Sequence, residues 1–275
     1  LRIRYYQDET KDDFFHTKTS IQTTVNGDYN YLPKNALFCV FSFLIYYFVA
    51  LPLLFVANVF VYGTRVHGRK NLRALRKKGF FVYANHTHYA DAWLTPVFVA
   101  PFRRAYIVAN KDAIQIPVVR VLTKALGALP VADTVNGLKN MNNAITTLIE
   151  KNKVVTIFPE AHIWQYHTGL RPFPITSFKF ASSTSAPAVP VAVCYKKRKL
   201  FGDRRKPVAH VFVGEPIYPQ PHLNERQNAE FLRDSVHDYI KNTLLEESNY
   251  AYYTYVKIDN QNQQLLQNEQ HKKTI

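Results

Sequence analysis

Residues 36–62 read ALFCVFSFLIYYFVALPLLFVANVFVY, an apolar run without a charge in which Ser42 and Asn58 are the most polar members. A helix needs about 20 apolar residues to cross a bilayer, and this run is long enough. Pro52 lies inside it, lacks an amide hydrogen, and should kink or break a helix there. Two forms follow: one kinked span, or two shorter segments that enter the membrane and return. The competing form, a core helix of a soluble protein, is disfavoured, because so long a charge-free run is hard to bury in a small domain. Residues 1–35 are mixed and polar, which predicts an irregular leader too acidic for a secretory signal.

From Gly63 onward the pattern alternates. Short apolar runs at residues 80–84, 104–109, 154–158, 188–195 and 208–213 predict strands. Helical patterns fall at residues 92–99, at 112–126 with Pro117 near the first turn, at 136–151 with Asn136 as cap, and at 224–246. Short strands alternating with helices predict an α/β domain over residues 63–248. Residues 249–275 are rich in Gln, Asn and Tyr and predict a loosely ordered polar tail.

Composition changes the picture only in places. At 275 residues and 47% hydrophobic the chain is long and apolar enough for one sizeable core. Its two cysteines, Cys39 and Cys194, form no disulfide or zinc framework and suit a reducing compartment. The net charge of +15 points to an anionic partner, and its placement says more than its sum. Arg65, Arg69, Lys70, Arg73, Arg76, Lys77 and Lys78 follow the apolar run directly, without an acid among them. By the positive-inside rule this places the rest of the chain on the cytoplasmic side of the cell membrane, against anionic headgroups. Lys196, Lys197, Arg198, Lys199, Arg204, Arg205 and Lys206 form a second cluster, readable equally as a solvated face. No helix-turn-helix, zinc or RNA-recognition signature accompanies the charge, so nucleic acid is not an expected partner.

The run FFVYA ends at Asn85-His86, and Asp91 follows. In a continuous helix the step from His86 to Asp91 turns about 140°, so the two would not share a face. They can touch only if His86 lies in a turn after the strand and Asp91 in the first turns of the next helix. A carboxylate beside an imidazole fixes its tautomer and stabilises the imidazolium, so the other ring nitrogen can deprotonate an alcohol. No Gly-x-Ser-x-Gly elbow or reactive cysteine is present, so direct attack of a substrate hydroxyl on a bound thioester is the simplest chemistry.

Three blocks occur in order: Asn85-His86-x-x-x-x-Asp91 after a strand, Phe158-Pro159-Glu160 after a second, and Val189-Pro190-Val191 within a third. Together, downstream of an apolar segment, they resemble the lysophosphatidate acyltransferase family of glycerolipid acyltransferases, over roughly residues 63–218. The resemblance implies a single α/β domain with a mixed central sheet flanked by helices, preceded by the hydrophobic membrane segment. It implies transfer of a fatty acyl group to the free hydroxyl of a lysophospholipid, lysophosphatidate above all, with His86 as general base and Asp91 as its partner. It assigns Glu160 to acceptor binding. No cofactor is expected; acyl-CoA or acyl carrier protein brings the acyl group as co-substrate or partner. The chain departs from the family where Gly-Thr-Arg usually follows Phe-Pro-Glu; here Ala161-His162-Ile163 stands. In the family's other phosphate-holding segment Asp133 stands in place of arginine. A phosphate near a membrane still wants charge-assisted donors, and Arg171, Lys179 and Lys111 are the candidates.

Two rival readings remain. His86-x-His88 with Asp91, His162 and His167 could ligate a metal in a hydrolase. A basic membrane-binding module would explain the charge and the apolar run, but not the three blocks. His88 is otherwise expected to face solvent at the helix start, and Trp164 with Tyr166 to sit at a lipid interface.

Overall fold

The computed structural model describes residues 2–14, 24–101, 103–114, 117–198 and 206–258. Nine strands occur among them: β1 (Ile3–Tyr6), β2 (Arg65–His67), β3 (Phe80–Ala84), β4 (Ala105–Ala109), β5 (Ala128–Pro130), β6 (Val154–Ile157), β7 (Ala188–Lys196), β8 (Val208–Val213) and β9 (Thr254–Lys257). Seven form one sheet in the order β2-β8-β7-β3-β6-β4-β5. Neighbours run parallel except β7 and β8, which are antiparallel, so the sheet is mixed.

The sheet is covered on both faces, and β3 shows why its sequence is apolar throughout. Side chains alternate across a strand. Phe81 and Tyr83 join a core with helices Val135–Glu150, Lys179–Ser183 and Glu225–Glu247. Phe80, Val82 and Ala84 join the opposite core with Leu72, Leu75 and residues 94–100. Strands β3, β4, β5, β6 and part of β7 run parallel, so their carboxyl ends share one edge, where ligands of such sheets usually bind.

The apolar run forms one continuous helix, Ala36–Tyr62. The helix does not break at Pro52 into two segments. A widened π turn at Ile45–Ala50 directly precedes the proline and makes room for its ring without ending the helix. A second such turn covers Ala57–Tyr62. The helix ends at Gly63 in the left-handed region (φ 65°), and Arg198 donates to the carbonyls of Val61 and Tyr62.

The helix does not stand free. Ser42 and Asn58, its most polar members, are buried against the domain together with Tyr46 and Ala50. Ser42 donates to the Ala125 carbonyl, Arg104 donates to Ser42, and the Tyr46 hydroxyl accepts from the Ala105 amide. The opposite face exposes Leu37, Phe48, Leu53 and Phe60.

Other expectations need correction. The polar leader is not irregular throughout: β1 pairs in parallel with β9, which lies in the expected loose tail. Val25 and Tyr31 are also buried in the core. Helix Val135–Glu150 is capped by extended Thr134, whose hydroxyl accepts from the Gly137 amide, and not by Asn136. The helix expected over residues 112–126 is a short turn, Lys111–Ile114, then a helix Pro117–Ala125 that begins on its proline. Residues 115–116 lie outside the described residues, as do Lys199, Arg204 and Arg205 of the second basic cluster.

Candidate active site

The site forms where β3 leaves the sheet. Asn85 is fully buried, and its amide behaves as an extra strand residue. It donates to the Val193 carbonyl (3.1 Å) and accepts from the Val193 amide (2.8 Å). That clamp holds the end of β3 to β7 and fixes where His86 emerges. Asp91 is the first residue of the next helix, Asp91–Leu94, which continues through a π turn, Thr95–Val99, that includes Pro96. The turn between them closes with the Asp91 amide donating to the His88 carbonyl.

In this strand-turn-helix geometry His86 Nδ1 lies 3.3 Å from Asp91 Oδ2. The same oxygen accepts from the amides of Thr87 (2.6 Å) and His88 (2.7 Å). Backbone donors aimed at a carboxylate fix its direction. The ring of Phe158 stacks on His86 with centroids 4.2 Å apart. The imidazole is thus held at one nitrogen and one face. His86 also lines the large cavity described below, so Nε2 is the nitrogen left to meet a substrate proton.

Glu160 works on the other side of His86. Its Oε2 accepts from the His86 amide (2.9 Å) and from Arg171 (2.9 Å), and its Oε1 from the Arg171 amide (3.1 Å). The side chains of Glu160 and Arg171 are 1% and 2% exposed. Arg171 also donates to the His162 carbonyl and lies over the Trp164 ring, 4.9 Å from its centroid. The structure therefore places both behind the wall of the cavity, where they brace His86 and the loop. Lys111 is ion-paired with Asp133 at 2.8 Å and helps tie residue 25 to the domain. Of the charged candidates Glu160, Arg171, Lys111 and Lys179, Lys179 alone lines the cavity.

Residues 160–166 run alongside the turn that carries His86 and Asp91. The Trp164 amide donates to the His86 carbonyl and the Tyr166 amide to the Thr87 carbonyl. Ala161 and Tyr166 take left-handed φ values of 63° and 56°, uncommon for residues with a Cβ and of the kind that collects at functional sites. Trp164 and Tyr166 are buried, not at a lipid surface: Trp164 packs against Tyr6, Phe14 and Tyr255, and its indole donates to the Asp12 carbonyl. His88 is likewise buried instead of facing solvent. It packs among Tyr62, Tyr89 and Tyr166, and burial lowers its pKa. His167 packs on Trp164 and Tyr255. Among the described residues, no three His, Cys, Asp or Glu side chains converge as metal ligands would.

The cavity has a volume of about 1040 Å³. His86, Phe158, Pro159, Ala161, His162 and Asp13 line it, together with an apolar stretch from Ile107, Val108, Val131, Leu138, Met141 and Ile157. This is at the large end for ligand sites, about 300–1000 Å³, and it joins an apolar trough to a titratable pair. A smaller cavity of about 350 Å³, between residues 28–32 and helix Val135–Glu150, contains none of these groups. Sequence reasoning missed the Asn85 clamp, the Thr87 and His88 amides, and the approach of Asp12 and Asp13. A buried asparagine at a strand end could have hinted at the first; nothing local signals the last, which arrives from the far end of the chain.

Residues 63–194 match the acyltransferase family. No curated protein matches the chain. Among solved structures, the chain is similar to the 1-acyl-sn-glycerophosphate (LPA) acyltransferase PlsC from Thermotoga maritima, with a TM-score of 0.55 and 18% identity over 78% of this chain and 97% of that one. At that identity the likeness establishes the fold.

Proposed function

Residues 63–194 belong to the acyltransferase family, and from that premise we propose that this enzyme transfers a fatty acyl group from a thioester to the free hydroxyl of a lysophospholipid, with lysophosphatidate the favoured acceptor. The observation that carries the reading is the His86–Asp91 contact at the mouth of a long apolar cavity. The acceptor hydroxyl gives its proton to His86 Nε2 as its oxygen attacks the thioester carbonyl. Asp91 stabilises the imidazolium that forms, and the proton returns to the departing thiolate. A positioned base of this kind contributes about 10²–10⁴ in rate. The apolar wall takes the acyl chain. The resemblance of PlsC to this chain supports a glycerophosphate acceptor.

The membrane enters through helix Ala36–Tyr62. It is tied to the domain near both ends, at Ser42 and at Tyr62, whose hydroxyl bonds that of Tyr89 on the catalytic turn. A helix so tied presents its exposed apolar face sideways, to lipid, and brings the cavity to the membrane surface where both substrates reside. The first basic cluster follows the helix and meets anionic headgroups, which are concentrated in the cytoplasmic leaflet.

The test is an acceptor panel with purified protein in vesicles and one acyl thioester donor. Transfer to lysophosphatidate should exceed transfer to lysophosphatidylcholine and monoacylglycerol. Equal rates would refute the headgroup preference, and no transfer to any of them would refute the acyl-transfer reading.

A further inference from the structure

The amino-terminal arm reaches the cavity and brings a second His–carboxylate pair to its wall. Three contacts fix the arm: β1 pairs with β9, Arg4 donates to the Gln165 side chain, and the Trp164 indole donates to the Asp12 carbonyl. The next residue, Asp13, lines the cavity, and its Oδ2 lies 3.6 Å from His162 Nδ1. That nitrogen is buried and makes no hydrogen bond, so its contact with Asp13 is one of charge proximity alone. His162 lines the same cavity and is aimed by a tight turn, in which its amide donates to the Glu160 carbonyl across Ala161. Arg171 grips its carbonyl from behind. So strained a turn, braced from two sides, is a costly way to place a surface histidine.

Among the described residues lining the cavity, the side chains able to carry positive charge are His86, His162 and Lys179. His86 is engaged as base. Lys179 begins a different helix, Lys179–Ser183, and is exposed. His162 sits on the loop whose Phe158 stacks on His86 and whose Glu160 holds its backbone. In a lysophosphatidate, hydroxyl and phosphate sit on one glycerol. A group that reads the phosphate while the hydroxyl meets His86 must therefore lie close to His86.

We propose that His162, beside Asp13, is the side chain that recognises the acceptor's phosphate, so that the amino-terminal arm completes the acceptor site. This rests on the acyl-transfer reading above. With the Asp13 carboxylate on the Nδ1 side, Nε2 is the ring nitrogen that can donate to a phosphate oxygen in the cavity.

Steady-state kinetics of the full chain in vesicles, with lysophosphatidate and an acyl thioester, tests this. His162→Gln should raise the acceptor KM about tenfold, with kcat within about threefold and the donor KM unmoved. His162→Lys should restore the acceptor KM, because an ammonium also donates to a phosphate oxygen. Asp13→Asn should raise the acceptor KM in the same direction and leave the donor KM unmoved. An unmoved acceptor KM in His162→Gln would overturn the assignment while leaving acyl transfer standing. Equal rises in donor and acceptor KM would overturn it too, showing a merely structural role. A wild type that acylates no lysolipid would remove the acyl-transfer reading and this assignment with it.

Discussion

At the scale of single residues, the sequence shows which chemistry is present but not which way each charge faces. The spacing of His86 and Asp91 already required a strand, a turn and a helix start, because no regular element could bring them together; the structure sets them 3.3 Å apart across that turn. Arg171 is the opposite case. Its position just past Glu160 suggests a phosphate ligand, yet it is buried in an ion pair with Glu160 and stacked on Trp164. Burial and partner choice depend on residues far along the chain, so no local pattern shows them. The placement makes a prediction. Arg171→Ala leaves Glu160 buried without its counter-charge, which costs about 3–5 kcal/mol and should appear as a lowered unfolding midpoint. The loss should fall on stability and on kcat, through the His86 backbone. Normal stability with a raised acceptor KM would return Arg171 to the phosphate.

At the scale of elements, the long strands and helices were legible because their periodicity is strong, while β2 and β5, three residues each, are too short to show any. The pairing of β1 with β9 could not be read, since it joins the two ends of the chain. Helix Ala36–Tyr62 is instructive. Its buried positions Ser42, Tyr46, Ala50 and Asn58 fall at multiples of four. In a pure α-helix each such step drifts about 40°, so the row would wind away from the domain. The wider π turns wind back, keep the row on one face, and admit Pro52. The clasp of β1 and β9 around Trp164 carries its own pH dependence. Burial depresses the pKa of His167 from about 6.5 to about 4. The unfolded chain therefore binds the extra proton first. Stability from this group is present above about pH 6.5 and falls as the pH drops toward 4. His210, also lowered to about 4, acts with the same sign. The thermal midpoint of His167→Gln should thus decline less steeply than wild type across that window. Parallel curves would show that His167 does not govern the acid loss.

At the scale of the whole molecule, an exposed apolar helix face, the larger cavity and a basic flank belong to one chain that matches the acyltransferase family. The sequence showed an apolar run long enough for a membrane but could not show that the run lies against the domain. That follows from side chains such as Ser42 and Tyr46 finding partners in distant elements. Phe48 and Phe60, 67% and 76% exposed, should meet lipid. Replacing both with Ser should weaken vesicle partitioning at least about tenfold, with the circular dichroism unchanged. Undiminished partitioning would place the membrane contact elsewhere. The central claim is that His86 takes the acceptor's proton, and the direct measurement is the acyl-transfer rate of purified His86→Ala in vesicles at saturating donor and acceptor. The account predicts a protein that still folds and binds vesicles but turns over about 10²–10⁴-fold more slowly; turnover near the wild-type rate would contradict it.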